Sequence, residues 1–362
     1  MPKFIPGMQL CERFFNEIVK VLIEKKFPSL KYSAGLFDYG SEVLGFDTKR
    51  STDHDWGPRV LLFLSSKDVK YKKEILDYLY KNSPKTFLGY STYFNETYKL
   101  DVPGLRKSQR KRSDLPDCFE IHTIKSFFKK YLEFDFKNEI TVSDWLTFPE
   151  QKLRAVRSGK IFYDELGLKH IRNNLHYFPK NVWLYMLASE WTKIIQEEPF
   201  VGRTGEVADE LGSKIIAARI VHTILKLSFL MEKEYSPYSK WFGTAFSRLK
   251  CSKKLKPVLD KVRLAENWKE REKYLTQAYK IIARMNNDLK ITKSLRIEIT
   301  KFYNRPYLIL RANRFANEIR KAIKDDAVKK ISANIGSVTQ FSNSVDLLGN
   351  EKLLRKLKVL YK

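Results

Sequence analysis

Lys31-Tyr32-Ser33-Ala34-Gly35-Leu36-Phe37-Asp38-Tyr39 runs into Gly40-Ser41, and eleven residues later the chain reads Asp53-His54-Asp55-Trp56-Gly57-Pro58-Arg59. The first segment is short, aromatic and bounded by glycine, so it is expected to form a strand. Gly40 and Ser41 then make a tight turn, where glycine lets backbone approach a phosphate and N–H groups with a hydroxyl can grip its oxygens. After a polar loop from Gly45 to Thr52, Asp53 and Asp55 are expected to open a second strand that continues as Arg59-Val60-Leu61-Leu62-Phe63-Leu64. Alternate side chains of a strand point the same way, which would set the two carboxylates together and turn His54 to the other side.

Two carboxylates on one face repel unless a cation lies between them. Mg²⁺ favours one or two carboxylates together with substrate phosphate oxygens, and a two-metal arrangement can stabilise both oxygens of an in-line displacement. Gly-Ser, a spacer and then Ser51-Thr52-Asp53-His54-Asp55 resembles the polymerase-beta-type nucleotidyltransferase superfamily, which includes aminoglycoside nucleotidyltransferases, CCA-adding enzymes and poly(A) polymerases. Over about residues 30 to 290 the chain also resembles a mostly bacterial family known only as domain of unknown function 4037. The segments that carry this second resemblance are DHDWGPR (53–59), SGKIFYDELG (158–167), HYFPKNVWLYMLASEW (176–191), VGRTGEVADELGS (201–213) and YSPYSKWFGTAF (235–246). Neither resemblance names a substrate.

The superfamily resemblance implies a third carboxylate from a later strand. Glu120 is the first candidate, in the alternating segment Cys118-Phe119-Glu120-Ile121-His122-Thr123 that leads into a helix from Ile124 to Leu132. Asp101 is the second, though Pro103 and Gly104 suggest a turn there. Read without the resemblance, Glu120 is a solvated residue of an edge strand, and His122 shares its face.

With 362 residues the chain has room for two domains, and 43% hydrophobic and 14% aromatic content exclude wholesale disorder. Its longest apolar runs, Val60 to Leu64 and Leu227 to Met231, fall far short of the ~20 residues of a membrane span. The N-terminal residues lack a secretory hydrophobic region. Cys11, Cys118 and Cys251 have neither disulfide-framework nor zinc-ligand spacing, so a reducing, cytoplasmic setting is expected. Lys and Arg number 68 against 42 Asp and Glu, a net charge of +26. That excess attracts polyanions. The basic run Arg106 to Arg112 can track phosphates, yet it lacks interleaved aromatics on which bases stack.

Helical periodicity is expected over residues 8–26 and 68–82, and a strand over Thr86 to Phe94. Beyond residue 124 strand signals mostly stop. Asn181 to Glu198, Thr204 to Glu234, Ser239 to Leu249, Leu255 to Arg263, Trp268 to Asn286, Asn313 to Lys324 and Lys352 to Tyr361 read as helices. Ile215, Ile216, Ile220, Val221, Ile224, Leu225 and Leu227 are expected to form the buried face of the long one. The fold class expected is therefore α+β. A small mixed-sheet nucleotidyltransferase-like head (1–135) precedes an all-helical C-terminal domain (136–362).

Two tail segments are candidates for the site. Gly205, Ala208 and Gly212 recur at helical spacing, and Glu206 and Glu210 at i and i+4 would project together as an acceptor-side base. The bland alternative is a capped helix start with acids near its positive end. In Tyr235 to Gly243, Lys240 can neutralise triphosphate charge among aromatics that can stack on a base, or simply be solvated. His222 reads as a core residue. The function expected is Mg²⁺-dependent transfer of a nucleoside monophosphate from an NTP, with ATP the expected donor. The acceptor is a hydroxyl of a small molecule such as an aminoglycoside, or an RNA end. Asp53, Asp55 and Glu120 are the metal and catalytic residues, and Gly40, Ser41, Ser51 and Lys240 the nucleotide-binding ones. The alternative is an inactive scaffold of the same fold that binds nucleotide or RNA.

Overall fold

The computed structural model describes residues 3–53, 56–92 and 118–362, with the Asp53 side chain outside that set. Asp55, Asp101 and the basic run 106–112 therefore lie outside the described residues. The chain divides into two compact units, Met1–Glu139 with Lys152–His176, and Ile140–Gln151 with Tyr177–Lys362. The fold class is α+β, a small mixed sheet with a helical C-terminal region.

The first unit is built on four strands, β1 (Tyr32–Leu36), β2 (Val60–Leu64), β3 (Phe119–His122) and β4 (Lys160–Asp164), in the order β3-β2-β1-β4. β1 runs antiparallel to β2, with Ala34 opposite Leu62, and antiparallel to β4; β3 runs parallel to β2, with Glu120 beside Leu61. β1 and β2 are buried along their whole length, which is why β2 is an unbroken apolar run rather than an alternating one. One face packs on a helical run, Gly7–Phe14 and Lys20–Lys26 joined by a π-helical turn at Phe15–Val19. Leu10, Phe14, Phe15, Val19 and Ile23 meet Ala34, Leu62, Phe119 and Ile121 there. The helix Ile124–Leu132, capped by Thr123, adds an aromatic cluster in which Phe127 lies 5.4 Å, centre to centre, from both Phe37 and Phe63.

Three expectations change in this unit. The head does not end at residue 135, because β4 returns to pair with β1 and Ser33 donates to Asp164 at 2.7 Å. The strand expected over 86–94 is a tight hairpin of Thr86–Phe87 and Tyr90–Ser91. Leu88 and Gly89 both take positive φ between them (50° and 84°), as a two-residue hairpin turn requires. Finally, β2 opens at Val60, not at Asp53, which ends a 3₁₀ helix, Lys49–Asp53. Pro58 has no N–H for a ladder, and the Arg59 N–H goes to the Cys11 sulfur at 3.3 Å instead of to a strand.

In the second unit the helices Lys180–Glu197, Glu210–Met231, Ser252–Leu264, Trp268–Asp288 and Asn313–Lys321 form the body. Trp191 stacks on Phe315 at 4.6 Å and donates to Asn286 at 2.9 Å. This region is not wholly helical, since Thr300–Lys301 and Leu308–Ile309 make a short ladder. The helix expected from Thr204 to Glu234 is two, Phe200–Glu206 and Glu210–Met231. Ala208 adopts a φ of 62° between them, and Asp209 caps the second by accepting from Gly212 N at 2.8 Å. The inward face of Glu210–Met231 is Ser213, Ala217, Ile220, Ile224 and Leu227, while Ile215 is 53% exposed. Among the described residues no helix is long and apolar enough to cross a membrane.

Candidate functional site

Beyond β1 the chain passes Asp38 and Tyr39 and turns through Ser41, where Phe46 N donates back to Ser41 O at 2.9 Å. Gly40 holds a φ of 111°, and a Cβ there would stand 2.5 Å from the Glu42 carboxylate. Only glycine meets both conditions. Glu42 is buried and accepts from Arg59 Nη2 at 2.5 Å; the same Nη2 donates to Tyr39 O at 2.9 Å, and the Tyr39 ring centre lies 4.2 Å from the guanidinium carbon. An arginine from the start of β2 thus clamps the Gly40-Ser41 turn. Burial works against the Arg59 charge, but Glu42, Asp38 and Tyr39 outweigh it and hold its pKa above the ordinary value.

Asp38 lies in the same neighbourhood. Burial pushes its carboxyl up to about 6, Arg59 pulls it down, and Glu120 adds to the rise. Its Oδ1 is buried and has no hydrogen-bond partner among the described residues. Tyr131, from the covering helix, donates to the Asp38 carbonyl at 2.5 Å, and Lys152 Nζ donates to the Tyr131 carbonyl at 3.0 Å. Burial brings the Lys152 ammonium down to about 8.

Glu120 sits on β3, half-buried, 3.0 Å from His122 Nε2. That hydrogen bond holds its carboxyl below the usual range against the pull of burial, with Lys130 and Arg59 adding to the drop. His122 rests edge-on to Phe127 at 5.6 Å. The acids near Arg59 therefore include two that the sequence reading passed over, Asp38 and Glu42. Their signal lay in the quoted stretch, where acids flank Gly40-Ser41 and an arginine closes the Asp-His-Asp segment.

The loop that carries Asp53 is pinned on both sides. Asp47 accepts from Gly7 N at 2.6 Å and from Trp56 Nε1 at 3.1 Å, while Cys11 Sγ donates to Gly57 O at 3.3 Å. Ser51 accepts from Thr48 N at 3.0 Å and so closes its own turn. Among the described residues no group of three His, Cys, Asp or Glu is disposed to hold a metal ion.

The tail candidates are placed separately. Glu206 and Glu210 fall on different helices and do not project together. Glu206 accepts from Arg203 at 3.0 Å and from the Tyr307 hydroxyl; Glu210 pairs with Arg271 at 3.0 Å and accepts from Trp268 N at 3.1 Å. Glu210 and Asp209 are the capped, acidic helix start of the bland reading. Gly205 is small because the Trp268 side chain lies against it. Lys240 is exposed on Ser239–Phe246, 5.3 Å from the Trp241 ring centre. His222 lies 5.0 Å from the Phe242 ring, and burial, with Lys226 and Lys193, drives its pKa down to about 4, which keeps it neutral.

Residues 145–242 match the model of the family described as Domain of unknown function (DUF4037). The matched span holds the quoted segments from SGKIFYDELG onward, apart from the last residues of YSPYSKWFGTAF, and does not reach Gly40-Ser41 or Asp53 to Arg59. No curated protein and no solved structure matches the chain.

Proposed function

We propose that this protein is a Mg²⁺-dependent nucleotidyltransferase that moves a nucleoside monophosphate from an NTP, with ATP the expected donor, onto an acceptor hydroxyl. The acceptor oxygen bonds to the α-phosphorus as the bond to pyrophosphate breaks, and the hydroxyl proton passes to solvent. The observation that carries this reading is the clamp. A Gly-Ser turn with positive φ at Gly40 is locked by the buried Glu42–Arg59 pair, Arg59 also acts on Asp38 and on the strand carboxylate Glu120, and Glu120 raises the pKa of Asp38. A turn so fixed presents its backbone N–H groups without reorganisation, which favours phosphate binding.

The donor chemistry suits a divalent cation: Glu120 is kept ionised by His122, and Asp38, whose pKa Glu120 raises, brings a second carboxylate with an oxygen, Oδ1, that has no hydrogen-bond partner among the described residues. Asp53, Asp55 and Glu120 would hold Mg²⁺, which supplies charge stabilisation to the phosphates when bound. The same lowered pKa makes Glu120 a weak base, so its role here is that of a ligand.

Incubation with each labelled NTP, Mg²⁺ and fractionated small molecules or RNA tests the proposal. Transfer of label that is lost in Asp53→Asn and Asp55→Asn supports it. Undiminished transfer in those variants overturns it. Metal-dependent ATP binding by calorimetry without transfer to any fraction would point to the non-catalytic scaffold.

A further inference from the structure

The second unit carries a cleft for which nucleotidyl transfer has no use. Helix Asn313–Lys321 presents Arg314, Asn317, Glu318 and Lys321 at i, i+3, i+4 and i+7, a single stripe. With Arg320 and Leu295 they line a cleft of about 500 Å³, a volume suited to a small ligand or one nucleotide unit. The Leu295 part of the lining is fixed. The Asn287 side chain donates from Nδ2 to Leu295 O at 2.8 Å and accepts at Oδ1 from Leu295 N at 3.1 Å.

Both guanidinium groups are anchored by one arm. Arg320 Nη2 donates to Ile331 O at 2.8 Å, with its guanidinium carbon 5.5 Å from the Tyr185 ring centre, and Arg314 Nη2 donates to Leu310 O at 3.2 Å. Each keeps a buried N–H with no hydrogen-bond partner among the described residues, Arg314 Nε and Arg320 Nη1. Such a donor is costly to leave unpaired. The acid of the cleft, Glu318, is already paired with Lys321 at 2.7 Å. Two positive charges therefore stand without an ion-pair partner among the described residues. A carboxylate would neutralise one of them; a phosphate can match both and takes planar, forked donors in pairs.

We propose that this cleft binds a phosphate group, carried by a small phosphorylated molecule or by a nucleic-acid strand, with Arg314 and Arg320 as its donors. The full-length protein is kept in EDTA so that metal-dependent phosphate binding at the first unit is suppressed. Pyrophosphate is then titrated by calorimetry and a short single-stranded oligoribonucleotide by fluorescence anisotropy at low and moderate salt. Wild-type protein is expected to bind at least one of them, with slowed amide exchange in helix Asn313–Lys321. Arg314→Gln is expected to weaken binding at least about tenfold. Lys321→Glu, whose side chain is 73% exposed and so leaves the fold intact, is expected to weaken it in the same direction. Tight pyrophosphate binding identifies a small phosphorylated ligand, whereas RNA binding alone, falling steeply with salt, identifies a strand. If neither probe binds, if both variants bind as wild type does, or if exchange slows only outside this helix, the proposal is wrong.

Discussion

Asp38→Asn separates what the buried acid costs the fold from what it does for the site. In the folded protein burial holds the Asp38 carboxyl near 6, against an ordinary value of 3.8. The groups acting on it are Arg59 and the backbone N–H groups of Tyr39 and of Asp38 itself, which favour the charge, and Glu120, which opposes it; Tyr131 and Cys11 also feel its field. Because the folded pKa is raised, the folded state holds this proton more tightly than the unfolded chain does. Stability from this group is thus complete below about pH 4, falls as pH climbs to about 6, and is flat beyond. The gap between the two values amounts to about 3 kcal/mol. Asparagine keeps the shape and discards the charge. The variant should unfold at higher urea than wild type at neutral pH, by about 3 kcal/mol, and the difference should close near pH 4. Paired urea titrations at the two pH values measure this directly. A variant weaker than wild type at neutral pH, or a difference that ignores pH, would show that the ionised carboxylate has partners that repay its burial. If Asp38→Asn is more stable but transfers nucleotide poorly, a destabilising charge has been retained for function.

Glu42→Gln leaves the Arg59 charge buried without its partner, and melting should show a loss of about 3–5 kcal/mol; an unchanged melt would mean that Asp38 carries the pairing. Gly40→Ala combines a left-handed φ with a clash against the Glu42 carboxylate. It should cost more than about 1 kcal/mol and weaken ATP binding, both readable by thermal shift. Burial pushes the Cys11 thiol up to about 12, so a thiol reagent at mildly alkaline pH should leave it unlabelled in native protein and label it on unfolding. Glu210→Gln removes the charge partner of Arg271, which is 1% exposed, but Glu210 itself is partly solvated, so about 1–2 kcal/mol of stability should go while turnover per folded molecule stays level.

What the amino-acid pattern revealed and what it hid divide along a physical line. β1, the Glu120 strand and the helix after it were legible because each is announced locally, by period, by glycine boundaries and by the Thr123 cap. The Asp53 region was misread as strand for an equally physical reason. Alternating acids before an apolar run mimic a strand start, while the capture of Arg59 N by Cys11 depends on a residue 48 positions away. β4 was lost in the tail for the same cause, since its pairing with β1 spans more than a hundred residues. The Glu42–Arg59 clamp lay in plain view as letters. An acid one residue past the Gly40-Ser41 turn and an arginine at the head of the next strand fix that turn from chain already present. Gly40 therefore answers to two demands at once, a left-handed φ and room for the Glu42 carboxylate, beside any contact it makes to the proposed phosphate. Gly40→Ala separates packing from contact: a lower melt with ATP binding per folded molecule unchanged points to crowding against Glu42, whereas weaker binding at an unchanged melt points to the proposed phosphate contact.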